Sequence, residues 1–207
     1  MLTLIGIASN RDWKPRMGLA FGSLMAHSIS KGISVLPVVI EQCYLHEARN
    51  KLVRVALESR ADYVFFMDDD LVFPADALER LVAHDKDIIG PVYCQRNPPH
   101  VTLGNPLDAD VHFGLGKMNY IPGGLMLMKI RIFSKMKPPW FKFKWRSDKV
   151  TKDNPDGTIG EDVGFCWHAR EKGFEVWCDY DLSYECTHLG ESHIRLQRPK
   201  HERQGNS

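Results

Sequence analysis

The chain has 207 residues, of which 43% are hydrophobic and 26% charged, and a formal net charge of +1. These values suit one globular domain with its own core, and the charge by itself names no partner. The five cysteines (Cys43, Cys94, Cys166, Cys178 and Cys186) are odd in number and never spaced Cys-x-x-Cys, so neither a disulfide framework nor a zinc site is indicated and a reducing cytoplasm is the simplest setting.

The opening Leu2–Ala8 reads as a strand, because charged Arg11, Asp12 and Lys14 follow at once and no basic leader precedes it. Met17–Ser30 is a predicted helix closed near Gly32. Ile33–Ile40 is a second strand, with Pro37 expected only if the strand lies at an edge or bulge. Leu45–Ser59 is an amphipathic helix with Leu45, Ala48, Leu52, Val53, Ala56 and Leu57 on one side. Tyr63–Met67 is a strand, Ala75–His84 a helix begun by Pro74, and Asp87–Tyr93 a strand. The second half is less regular. It carries a strand at Leu125–Ile130, a long irregular stretch at Lys137–Pro155, a helix at Gly160–Lys172 and a short strand at Phe174–Cys178. Strands alternating with helices predict a single α/β domain over residues 1–193, with a central, mostly parallel sheet flanked by helices. Residues 194–207 form a basic tail. No apolar run approaches the roughly 20 residues needed to cross a bilayer.

The strand Tyr63–Met67 runs straight into Asp68, Asp69 and Asp70. Three adjacent carboxylates repel one another and disfavour a strand, so a hard cation would relieve them. In extended backbone residues two apart share a side, so Asp68 and Asp70 converge while Asp69 turns away. Two oxygen ligands at that spacing suit Mg²⁺ or Mn²⁺. The plain alternative is a solvated acidic turn. The position favours a site, because ligands of α/β sheets bind beyond the carboxyl ends of the strands.

Glu161 and Asp162 begin a helix, where its dipole stabilises acids. They also follow a long loop able to carry them to the aspartates, where one carboxylate can serve as a general base. His188 follows a short strand in the same half and is a candidate third ligand for the cation.

These pieces, in this order, resemble a GT-A glycosyltransferase of the small stand-alone kind found in bacteria and bacteriophages. The resemblance rests on the strand Leu4–Ala8, the segment Ala48-Arg-Asn-Lys-Leu52, the Asp-x-Asp element Asp68–Asp70, and Gly160-Glu-Asp162 followed by Thr187-His-Leu-Gly190. It implies a divalent-metal-dependent enzyme that takes a sugar from a UDP- or GDP-sugar. It implies that Ala8, Ser9, Asn10 and Arg11 border the nucleotide base, that Arg49 approaches the diphosphate, and that Asp68 contacts the ribose. Asp70 and His188 would hold the cation, with Asp69 an open alternative to Asp70 or Asp68. Gly123 and Gly124 would let the transferred sugar approach the backbone, with Trp140 beside the donor sugar or acceptor. Asp162, or Glu161, would face the acceptor.

Residues 129–152 hold nine basic side chains against the single acid Asp148, interleaved with Trp140, Phe141, Phe143 and Trp145. Such a mixture binds polyanions through phosphate contacts and base stacking. Lys142, Lys144, Arg146 and Lys149 are therefore a candidate acceptor surface, with hydroxymethylated phage DNA the sharpest acceptor and a glycan or protein the alternative. The plain reading packs Trp140 and Phe141 in the core and leaves the lysines as a solvated rim. Arg195, Arg198, Lys200 and Arg203 add charge in the tail. A nucleotidyltransferase would carry a glycine-rich phosphate loop where Ser9–Pro15 has no glycine, and a non-catalytic nucleic-acid module leaves the acidic residues unexplained. The oligomeric state is not legible in the chain.

Overall fold

The elements follow in the order β1 (Leu2–Ser9), α1 (Pro15–Ser30), β2 (Ser34–Glu41), α2 (Leu45–Glu58), β3 (Tyr63–Asp68), β4 (Leu71–Val72), α3 (Ala77–Ala83), β5 (Ile88–Gly90), β6 (Tyr93–Cys94), β7 (Thr102–Leu103), β8 (Asn105–Pro106), β9 (Leu115–Tyr120) and β10 (Leu125–Lys129). Then come β11 (Lys144–Trp145), β12 (Thr158–Ile159), α4 (Glu161–Glu171), β13 (Val176–Asp179), α5 (Tyr180–Ser183), β14 (Thr187–Leu189) and β15 (His193–Arg195). The computed structural model describes residues 1–9, 12–96, 98–152, 154–190, 193–197 and 199.

The main sheet has eight strands in the order β2-β1-β3-β10-β5-β13-β9-β8. β10 and β9 run against their neighbours and the other six strands share one direction, so the sheet is mostly parallel as expected. β2 lies at the edge, which is where Pro37 can be tolerated. The run expected as one strand over 87–93 breaks at Pro91 into β5 and β6, and only β5 joins the main sheet.

The helices cover both faces. Val64 and Phe66 of β3 point into the core shared with α2 and α4, and Phe65 and Met67 into the core shared with α1 and α3. Burial on both sides explains why β3 shows no polar alternation. On α2, Ala48, Leu52, Val53 and Ala56 are buried as predicted, while Leu45 and Leu57 lie partly in solvent at 38% and 40% exposure. Arg49 and Asn50 take up the rest of the buried face.

The stretch after β10 turns inward through aromatic packing. Phe141 is fully buried, stacked on Phe165 at 4.3 Å between ring centroids and edge-on to Phe66 at 5.2 Å. Asn50 on α2 fastens this stretch, accepting from the backbone N–H of Trp140 at 2.8 Å and donating to the Phe141 carbonyl at 2.6 Å. Phe141→Ala is expected to cost ~3–5 kcal/mol in urea unfolding, while Phe143→Ala, at a site 54% exposed, stays within about 0.5 kcal/mol of the parent.

No helix among the described residues is long and apolar enough to cross a membrane. All five cysteines are free thiols and only Cys43 is not buried. Burial pushes Cys166 and Cys178 up to about 12 and raises Cys186 as well. Alkylation needs the thiolate. Iodoacetamide at pH 8 is therefore expected to modify Cys43 alone in the native protein and all five after denaturation, read by mass spectrometry.

Candidate active site

β3 ends at Asp68, and the turn that follows, not the extended backbone expected, carries Asp69 and Asp70 at the same end of the sheet. Asp69 turns towards β1, where its Oδ2 accepts a hydrogen bond from the Ser9 hydroxyl at 2.7 Å. Asp68 and Asp70 stand close enough for their charges to repel. The β4–β14 pairing sets Leu71 opposite His188 and so brings that ring beside Asp70. His188 Nε2 lies 3.3 Å from Asp70 Oδ1, while Arg96 Nη1 donates to Asp70 Oδ2 at 2.7 Å. His188 Nδ1 sits 2.9 Å from the Cys94 carbonyl, an acceptor only, so Nδ1 carries a proton and Nε2 faces the carboxylate. Burial opposes charge on this ring, but the hydrogen bonds to Asp70 and to Cys94 outweigh it and raise its pKa.

Arg49 is the second organiser. It is 2% exposed and lies 5.7 Å above the Phe66 ring. Its Nη2 donates to Asp68 Oδ1 at 3.0 Å and its Nη1 pairs with Glu161. Burial alone would lower its pKa, but the surrounding carboxylates raise it, so the guanidinium stays charged. Burial raises the pKa values of Asp68 and Glu161 despite the pairing with Arg49. Gly160 precedes the first turn of α4, which presents Glu161 to Arg49 and Asp162 to Gly123. Asp162 Oδ2 accepts from the Gly123 N–H at 3.1 Å.

The glycine pair is required by space. A Cβ on Gly123 would fall within 2.5 Å of the Arg49 guanidinium carbon, and one on Gly124 would fall 2.5 Å from Asp68 Oδ2. The Gly124 N–H donates to the Tyr93 hydroxyl at 3.0 Å, and its carbonyl accepts from the Asp68 N–H at 2.8 Å.

The structure therefore gathers Asp68, Asp70, His188, Gly123, Gly124, Glu161, Asp162 and Arg49 in one place, with Ala8 and Ser9 at the adjoining end of β1. Asn10 and Arg11, like Arg198, Lys200 and Arg203 of the tail, lie outside the described residues. Trp140 is not part of the site. It is 6% exposed, packs edge-on to Phe133 at 5.6 Å and donates its indole N–H to the Met136 carbonyl at 3.0 Å, so it belongs to the core. Nor is Arg49 open to a diphosphate, because both ends of its guanidinium are committed to protein carboxylates. Lys142, Arg146 and Lys149 are exposed and Lys144 half-buried, but Arg146 is paired with Asp148 at 2.7 and 2.9 Å. Arg96, Tyr93 and Asn50 were not marked as site residues by the sequence. Arg96 and Tyr93 lie among residues without periodicity, whereas Asn50 interrupts an apolar helix face and was detectable there.

Asp70 and His188 fit a divalent cation, with one hard oxygen and one oriented imidazole nitrogen. Among the described residues no group of three or more His, Cys, Asp or Glu is arranged to hold a metal. The remaining positions would thus fall to water and ligand oxygens, as Mg²⁺ and Mn²⁺ commonly accept.

Replacing Arg49 with Met should cost ~3–5 kcal/mol, because it leaves Glu161 and Asp68 buried without their cation. The folded state of the variant would bind more protons than the unfolded chain, so its deficit is expected to shrink as pH falls. Urea titrations of both proteins between pH 5 and pH 8 test this, and a constant deficit would contradict it.

Residues 25–106 match the glycosyl transferase family 2 profile. The chain resembles the crystal structure of the protein A197 from STIV with a TM-score of 0.60 and 17% identity, over 98% of this chain and all of the other. It resembles the catalytic domain of Drosophila β1,4-galactosyltransferase 7 in complex with xylobiose with a TM-score of 0.52 and 15% identity, over 97% of this chain and 76% of the other. A mutant of that Drosophila enzyme in complex with manganese, UDP-Gal and xylobiose gives 0.48 and 14% identity, over 95% and 71%. No curated protein matches the chain significantly. The chain has the GT-A fold, and its residues 25–106 are similar to glycosyl transferase family 2.

Proposed function

We propose that the protein transfers a sugar from a nucleoside-diphosphate sugar to an acceptor hydroxyl, with Mn²⁺ or Mg²⁺ held by Asp70 and His188. The observation that carries this reading is the facing pair Asp70 Oδ1 and His188 Nε2, 3.3 Å apart beside Asp68 at the end of β3. The family 2 match supports the reaction class. A divalent cation there would neutralise charge developing on the diphosphate as it leaves.

The protein's own groups divide the remaining work. The end of β1, Ala8 and Ser9, borders the base, and Ser9 holds Asp69 out of the way. Asp68 reaches the ribose while Arg49 fixes its orientation. Asp162, partly exposed and held by the Gly123 N–H, accepts the acceptor's proton as its oxygen bonds to the sugar's anomeric carbon and the bond to the phosphate oxygen breaks. Glu161 is bound to Arg49 and serves to position it.

A cleft of 640 Å³ beside Gly160 is lined by Asn105, Asn119, Tyr120 and Trp167 among others, a mixture of amides and aromatic faces suited to a glycan acceptor. A second reading keeps hydroxymethylated DNA. It rests on Phe143 and Trp145, 54% and 65% exposed and interleaved with Lys142 and Lys144. Transfer assays on neutral glycans and on hydroxymethylated duplex DNA, at low and moderate salt, separate the two readings. Phosphate binding weakens steeply with salt and glycan binding does not.

Asp70→Asn is expected to abolish Mn²⁺-dependent binding of UDP or GDP in a folded protein. Asp162→Asn should keep that binding and lose ~10²–10⁴-fold in transfer. Calorimetry and sugar-nucleotide turnover read these effects. Unchanged metal-dependent affinity in Asp70→Asn would contradict the metal assignment.

A further inference from the structure

Arg96 lies in the connection between β6 and β7, closed by the Gln95 N–H donating to the Val101 carbonyl at 2.8 Å. It sets a guanidinium nitrogen 2.7 Å from Asp70 Oδ2, on the carboxylate whose other oxygen faces His188. The Arg96 side chain is 42% exposed, whereas that of Arg49 is 3% exposed. One guanidinium is thus enclosed by the protein and the other is reached by solvent. The same hairpin supplies the Cys94 carbonyl that orients His188.

We propose that Arg96 is an exchangeable counter-ion, which competes with a divalent cation for Asp70 and, once displaced, binds the diphosphate of the nucleotide. The inference rests on the metal-dependent transferase reading. Its physical basis is charge. A dication on Asp70 would stand within a few ångströms of the guanidinium, and like charges at that range repel strongly. The nearest anion brought in with such a cation is the diphosphate, whose oxygens match the planar donors of arginine. Arg49 cannot serve there, because Asp68 and Glu161 already hold it. Arg96 would therefore restrain bare metal from binding and reward metal that arrives with nucleotide, making the two ligands cooperative.

The test is calorimetric titration of MnCl₂ alone, and of UDP and GDP in the presence of MnCl₂, into the unaltered protein, Arg96→Ala and Arg96→Lys. Arg96→Ala is expected to bind Mn²⁺ alone several-fold more tightly and the nucleoside diphosphate with Mn²⁺ about tenfold more weakly, the loss of one charge-assisted contact. Arg96→Lys should retain part of both effects. A residue with only a structural role would not move the two affinities in opposite directions. Circular dichroism checks the fold, and Arg96→Gln replaces the alanine variant if that one unfolds. Unchanged affinities, or affinities that fall together, would overturn the counter-ion role and leave the transferase reading intact. Absence of Mn²⁺-dependent UDP or GDP binding in the unaltered protein would overturn both.

Discussion

The ion bridge centred on Arg49 is the interaction on which the site depends. One guanidinium from α2 reaches the end of β3 through Asp68 and the start of α4 through Glu161. These two carboxylates are 93 residues apart in the chain, and nothing in their own elements would hold them together. Arginine suits the task because its planar fork serves two acids in fixed geometry and its charge survives burial. A buried bridge of this kind adds little net stability over apolar packing, but losing one member is costly. Its value lies in placement. The backbone at Gly123 and Gly124 slides against the guanidinium and Asp68 only because neither residue has a side chain.

Carboxylates crowd around this bridge. Arg49 holds Asp68 and Glu161, Arg96 and His188 face Asp70, and Asp69 and Asp162 accept from the Ser9 hydroxyl and the Gly123 N–H. These acids collect at the carboxyl ends of the strands, where the N-terminus of α4 and solvent both favour negative charge. The end of β3 and the turn that follows supply three of the acids and the first turn of α4 two, so the scaffold sets the spacing and the side chains set the chemistry. The core supports this from below. Asn50 pins the Trp140–Phe141 segment, and the Phe66, Phe141 and Phe165 rings fill the space under the guanidinium.

Much of this was legible in the chain because it depends on local pattern. The unbroken apolar run before Asp68 marks a strand buried on both faces, whereas the alternation expected of the three aspartates assumed extended backbone and the chain turns at Asp69 and Asp70. The stripe on α2 gave the helix and most of its buried face. What local pattern cannot show is partnership across the chain. Arg49 read as a phosphate ligand because its charge was visible and its two buried carboxylates were not. Trp140, which the resemblance set beside the sugar or acceptor, packs instead against Phe133 and Met136, as the plain reading of the basic stretch expects. β9, Leu115–Tyr120, has half its residues polar or glycine and becomes a strand by pairing with β13 and β8. Arg96 is defined by the fold of its hairpin, and its short sequence neighbourhood contains no repeat or periodicity to signal a role.

The two borders of the main sheet have a consequence for how copies of this protein meet. On one side β2 offers its backbone outward, but Pro37 sits at mid-strand and has no N–H to give. On the other side β8 is two residues long and ends in Pro106. An incoming strand would find an interrupted ladder at the first border and almost none at the second. Sheets with long, regular margins recruit strands from other chains, and these are the devices that prevent it. The carboxylate-rich strand ends can thus stay open to solvent without the margins of the sheet becoming a template for aggregation.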